Sequence, residues 1–176
     1  MNLSLRRGTD RVPCWDGKTQ MMWVLDDGGR AAAGFKGAAR DCTCRAIAIA
    51  SGLAYMDVYT ALNAAAKTER PDKKGRVSSA RNGVRRKTIR RFLLDRGWRW
   101  VPTMAIGGGA TVTLCEEDLP MGRLIVSVSR HMTCVIDRVV FDTFDPQRGG
   151  IEMKDGVRRI TRRCVYGYFI RDTVAS

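Results

Sequence analysis

The chain has 176 residues, 44% of them hydrophobic, with 31 Lys and Arg against 18 Asp and Glu, a formal charge of +13 and a single histidine. That length suits one domain with a substantial core and is too long for a small disulfide scaffold, and no window approaches the ~18 apolar residues that a membrane span needs. The charge points to polyanions or acidic partners, and by itself names neither a fold nor an activity.

Residues 1–25 read as an N-terminal arm, basic and irregular over Met1 to Trp15, with a candidate first strand at Gln20–Leu25; residues 26–176 read as one domain. No apolar run precedes Arg6-Arg7, so no secretory signal is expected. Asp26-Asp27-Gly28-Gly29 is a turn signal, and the Gly- and Ala-rich stretch from Arg30 to Arg40 a loop. Asp41 stands where an N-cap would, ahead of a short buried helix from Cys42 to Ala50 that Ser51-Gly52 halts. A second helix fits Tyr55–Lys67, with Val58, Tyr59 and Leu62 on one stripe.

Residues 67–99 hold thirteen Lys and Arg against Glu69, Asp72 and Asp95. Glu69–Gly83, with Pro, Gly and Ser, is expected to be loop, and Arg85–Asp95 an amphipathic helix with Ile89, Phe92 and Leu93 inward, ending at Gly97. Trp98 to Val101 enters a strand. Pro102 to Pro120 is a long connection whose Gly107-Gly108-Gly109 lacks the following Lys-Ser/Thr of a phosphate loop and reads as a lid or rim. Strands follow at Leu124–Ser129, His131–Ile136 and Val139–Phe144, then a loop at Gln147–Asp155, a last strand at Val165–Ile170 and a fraying end. Helices first and strands last predict an α+β fold, N-terminal helices packed on one side of a C-terminal antiparallel sheet.

The histidine lies in the most legible stretch. Asp137-Arg138 is a two-residue hairpin turn with Arg where Gly is usual. With that turn Ile136 faces Val139 and Thr133 faces Asp142, so His131 and Asp142 are diagonal neighbours on one face. A three-residue loop would put Asp145 opposite His131 instead. Either way a carboxylate flanks the imidazole.

Cys42 begins a helix, where unpaired N–H groups and the helix dipole favour a thiolate and can receive an oxyanion. Thiol catalysis also needs an imidazole to pair with the thiolate and protonate the leaving group, and a polar group to orient that imidazole. Cys42, His131 and Asp142, with Asp145 as the alternative acid, fill those roles. The competing view is that Cys42 fills core in an Ala/Ile-rich helix.

Asp41-Cys42, Arg45 to Ala50 with Gly52, and Tyr55, Val58 and Tyr59 resemble a group of uncharacterised phage and prophage proteins, themselves similar to papain-like (NlpC/P60- or C39-like) cysteine peptidases. The resemblance continues through Gly122–Val126, His131, Val135 to Asp137, Asp142-Thr143, Asp145-Pro146 and Val165 to Tyr168. It implies a papain-like fold and places the nucleophile at Cys42 rather than Cys44. It implies a peptide, isopeptide or peptidoglycan amide as substrate, and a bacterial host cytoplasm or virion as the setting. Three departures stand out: Arg138 replaces a turn glycine, Ala110 and Thr113 stand where the similar proteins carry Cys and His, and no Gln occupies Lys36 to Asp41 as a second oxyanion donor.

No cofactor is expected. With one histidine and no C-x-x-C pair among six cysteines, neither is a structural metal; reduced thiols in a cytoplasm are the expectation. Arg85, Arg86, Arg90 and Arg91 form a candidate anion-binding face, through which residues 67–99 would hold nucleic acid or an acidic protein partner. Trp98 and Trp100 suit base stacking or, more ordinarily, the core. The second functional expectation is therefore a catalytically inactive basic module that keeps the peptidase fold in a virion or on nucleic acid.

Overall fold

The computed structural model of the chain describes residues 18–105, 107, 109–154 and 156–171. The arm expected over Met1 to Trp15 and the fraying end lie outside them. The described residues form an α+β fold in the order β1 (Met22–Leu25), α1 (Cys42–Ser51), α2 (Tyr55–Ala66), α3 (Arg86–Leu94), β2 (Arg99–Pro102), β3 (Met104–Ala105), β4 (Gly109–Ala110), β5 (Arg123–Val128), β6 (His131–Ile136), β7 (Val139–Asp142), β8 (Arg148–Lys154), β9 (Val157–Arg162) and β10 (Val165–Ile170). Six strands make one sheet, β1-β7-β6-β5-β10-β2, while β3–β4 and β8–β9 are separate two-stranded pairs. No helix among the described residues is long and apolar enough to cross a membrane.

The expected antiparallel, C-terminal sheet is corrected at one edge. β1 precedes every helix and runs parallel to β7, from Met22 beside Val139 to Leu25 beside Asp142, so the sheet is mixed. Parallel neighbours need a long crossover, and here it contains all three helices, a pairing that local alternation cannot reveal. The turn after β1 packs on α1: a Cβ at Gly28, whose φ is +65°, would lie 3.0 Å from the Arg45 carbonyl oxygen.

The helices cover one face, where Ile47, Leu62, Ile89 and Leu93 meet Ile125, Cys134 and Phe169. On the other face Leu124, Val126, Val128 and Val140 pack with Met21, Leu114 and Leu119. Part of the long connection before β5 therefore serves as the sheet's second cover. Burial on both faces explains why β5 is a nearly continuous apolar run. Two loop expectations also change. β3 and β4 pair inside the 102–120 connection, and β8 belongs to a hairpin with β9 in which Lys154 pairs with Val157. The polar, arginine-rich strands of this hairpin disguised it in the sequence.

The Asp137-Arg138 turn has two residues, as expected. Ile136 pairs with Val139, and φ is +47° at Asp137 and +64° at Arg138, a pair of left-handed residues as in a type I′ turn. The Asp137 carboxylate secures it by accepting the Gly122 N–H at 2.9 Å. Left-handed backbone is costly for a side chain at Arg138, so Arg138→Gly is expected to raise stability by roughly 1 kcal/mol. Urea denaturation checks this, and an unchanged midpoint would mean that the turn is not strained.

Candidate active site

Cys42 is the first residue of α1 and half-buried, at the start of a helix whose Thr43, Cys44, Ala46, Ile47, Ala48 and Ala50 are buried. The expectation that Asp41 caps this helix with its side chain is corrected. Asp41 holds the N-cap position but makes no side-chain cap hydrogen bond. One carboxylate oxygen accepts Arg30 Nε and the Tyr55 hydroxyl, each at 2.7 Å, and the other accepts Arg45 Nε at 3.1 Å. The capping role of Asp41 is thus diverted into a buried ion network, and the first turn of α1 has no carboxylate cap to compete with an anion for its N–H groups.

His131, the first residue of β6, reaches the same place from the sheet. Its Nε2 lies 2.6 Å from Asp142 Oδ2 at the end of β7. The Cys42 thiol lies within hydrogen-bonding reach of the same imidazole, and the Met132 N–H faces the sulfur. With Nε2 engaged, Nδ1 is the ring nitrogen left for the thiol. Asp142 is itself fixed: Oδ1 accepts the Thr143 N–H at 2.7 Å, and its carbonyl accepts the Asp26 N–H at 3.0 Å and Trp23 Nε1 at 3.1 Å. β1 thus positions the acid. Phe144 lies against His131 with ring centroids 4.8 Å apart.

The sequence-derived candidates therefore separate cleanly. Cys42, His131 and Asp142 come together. Asp145 does not join them; it accepts Gln20 Nε2 and the Gln147 N–H, each at 3.0 Å, and fastens the chain after β7 to the start of β1.

Electrostatics distinguish Cys42 from the other thiols. Burial alone would raise its pKa, but the hydrogen bond and charge of His131, the Met132 amide and Arg45 outweigh it and hold it below the ordinary 9.0. Burial likewise depresses His131, yet the Asp142 and Cys42 hydrogen bonds and charges win and lift it to about 9. The two shifts favour thiolate on Cys42 and imidazolium on His131. Cys44 is pushed up to about 12, by burial first and then by Asp41, and burial also raises Cys115 and Cys134. The five described cysteines are free, and no group of three or more His, Cys, Asp or Glu among the described residues is placed to hold a metal ion.

The site opens into a cleft of about 740 Å³ lined by Cys42 and His131 together with Arg40, Asn82, Arg86 and Arg130. The candidate anion-binding arginines do not act as one face. Arg85 is drawn inward, 3.2 Å from Glu69 and bonded to the carbonyls of Arg70 and Arg76, and Arg91 bonds the Thr68 hydroxyl. Arg86 faces the cleft, and Arg90 lines a smaller pocket beside it. Sequence reasoning missed Asn82, Arg40 and Arg130, which no local pattern ties to Cys42. It missed Arg45 as well, although i, i+3 spacing from Cys42 on a helix was a usable signal. Arg45 spans the site: besides Asp41 it bonds the Thr143 hydroxyl and lies 3.8 Å from Asp142.

Two outcomes follow from this geometry. Alkylation of Cys42 by iodoacetamide should show a midpoint below the ordinary thiol value of 9.0, while His131→Ala moves that midpoint up to or beyond it; rate against pH, read by mass spectrometry, checks this. Asp41→Ala strands Arg30 and Arg45 without their buried counter-charge and is expected to cost about 3–5 kcal/mol in chemical denaturation. No protein-family model, curated protein or solved structure matches the chain.

Proposed function

We propose that the protein is a papain-like cysteine peptidase or amidase of phage type, hydrolysing an amide bond in a peptide, isopeptide or peptidoglycan cross-link. One observation carries the reading: a thiol at the start of a buried helix shares a cleft, and a hydrogen-bonding and charge interaction, with an imidazole whose Nε2 is held by a buried carboxylate. Fully buried structural cysteines have no use for that arrangement, and it pushes the two pKa values in the directions that thiolate catalysis needs.

In the proposed reaction the Cys42 thiolate attacks the substrate carbonyl carbon. Oxyanion charge develops toward the N–H groups opening α1, where preorganised donors act with little reorganisation. Asn82 is the side-chain amide in the cleft lining and supplies the second donor, in place of the glutamine that residues 36–41 lack. As the tetrahedral intermediate collapses, the C–N bond breaks and the imidazolium of His131 gives its proton to the departing amine. The neutral imidazole then removes a proton from water, whose oxygen attacks the thioester carbon. The S–C bond breaks, releasing the carboxylic acid and restoring the ion pair. Asp142 holds the ring in the orientation both proton transfers require.

The second reading is an inactive basic module bound to nucleic acid or to a virion through residues 67–99. Arg86 and Arg90, both exposed and without an ion-pair partner among the described residues, favour it. The ties of Arg85 to Glu69 and of Arg91 to the Thr68 hydroxyl weigh against a continuous phosphate-tracking face.

Turnover of a peptide-amide library distinguishes the two. Hydrolysis is expected to follow a bell-shaped pH profile, its acid limb set by the lowered Cys42 pKa and its alkaline limb near the His131 value of about 9, where the general acid is lost. Cys42→Ala is expected to abolish it and His131→Ala to lower it by at least about 10²-fold. Wild-type Cys42 that labels no faster than the exposed Cys164 would sink the catalytic reading.

A further inference from the structure

The cleft beside Cys42 does not end at the thiol. A second pocket of about 210 Å³ opens from it, sharing Arg86, Ile89, Ser127 and Met132 with its lining. Its far walls are Trp100, Tyr166 and Phe169, with Arg90 alongside. The Trp100 and Phe169 rings pack at 4.6 Å between centroids, and the Arg86 guanidinium lies 5.8 Å from the centre of the Tyr166 ring.

The sequence reserves this space. A Cβ at Gly167 would fall 2.3 Å from Trp100 Cζ2 and 2.6 Å from Cη2, so only glycine lets the indole lie across β10 at that point. The pocket therefore has an aromatic wall set against bare backbone. At about 210 Å³ it has the room of one medium-sized side chain.

Charge gives the pocket and cleft a sign. Arg40, Arg86 and Arg130 line the cleft and Arg86 and Arg90 the pocket, with no carboxylate other than those of the site network nearby and no ion-pair partner for these four among the described residues. Four other arginines are neutralised: Arg30 and Arg45 on Asp41, Arg76 on Asp72, Arg85 on Glu69. Arg130 is also carried on a left-handed turn residue, φ +55°, between β5 and β6, a costly place for a long side chain. A guanidinium fork is matched to a carboxylate in two-point geometry.

We propose that this cleft selects an amide substrate whose flanking residue combines an apolar side chain, seated among Trp100, Tyr166 and Phe169, with a carboxylate held by Arg86. The inference rests on the proposed thiol-hydrolase reading for its catalytic meaning. The ligand class can be tested without turnover.

The experiment is calorimetric titration of the whole protein with N-acetyl-phenylalanine and with its neutral amide, in low and in moderate salt. The acid is expected to bind at least about tenfold more tightly, as one charge-assisted hydrogen-bonded pair allows. The gap should shrink with salt and vanish in Arg86→Gln, a change at an exposed residue in the first turn of α3 that leaves the core intact. Equal binding of acid and amide, absence of binding by both, or a gap unaltered in Arg86→Gln would each overturn the proposal. Cys42 labelling in the same samples separates the two readings: selective binding beside an unreactive thiol removes catalysis and keeps the ligand class. A reactive thiol without acid preference does the reverse.

Discussion

The carboxylate of Asp41 is the constraint on which the rest of the site depends. Only 2% exposed, it takes three hydrogen bonds from Arg30, Arg45 and Tyr55. Those partners come from the loop after β1, from the second turn of α1 and from the first residue of α2. Arg45 then continues to Thr143 and Asp142 at the end of β7. A single buried charge thus ties the helix that carries Cys42 to the strand end that orients His131. Buried ion pairs add little net stability against an apolar alternative, but breaking one leaves a charge uncompensated in low dielectric. The network therefore acts as a registration device: α1 can approach the sheet only in the position that satisfies all four groups.

The same network explains the contrast between two cysteines two residues apart. Cys42 faces a cation, the imidazolium of His131. Cys44 is fully buried, beside Asp41 and with its sulfur toward the Tyr55 carbonyl, so its thiol stays protonated. Helical geometry separates them by about 200° around the axis, and the sheet supplies an imidazole on one side only. Reactivity at this site is thus a matter of which face of α1 meets β6.

The large positive charge also resolves into separate roles. Some of the basic residues are structural, because Arg30, Arg45, Arg76 and Arg85 all hold carboxylates of the chain itself. Arg40, Arg86, Arg90 and Arg130 line the cleft and its side pocket without an ion-pair partner among the described residues. A concave surface focuses such a field more than an exposed helix face does.

Local sequence determined much of this protein. The helices at Cys42 and Tyr55, the amphipathic helix with Ile89, Phe92 and Leu93 inward, the Asp137-Arg138 turn and the pairing of His131 with Asp142 all follow from periodicity, turn length and the two-residue repeat of a strand. These signals are short-range, and a hairpin brings its partners together within a dozen residues. Tertiary structure alone decided what has no local signature. It set β1 parallel on the far edge of the sheet, turned Asp41 from a helix cap into the centre of an ion network, and used residues 112–119 as the sheet's second cover. It also brought Arg40, Asn82 and Arg130 into one cleft with Cys42. The contact between Cys42 and His131 is of this second kind, since 89 positions separate them and only the packing of α1 on β6 closes that distance. Spacing nominates such residues through their chemistry; the fold alone supplies the geometry that makes them a site.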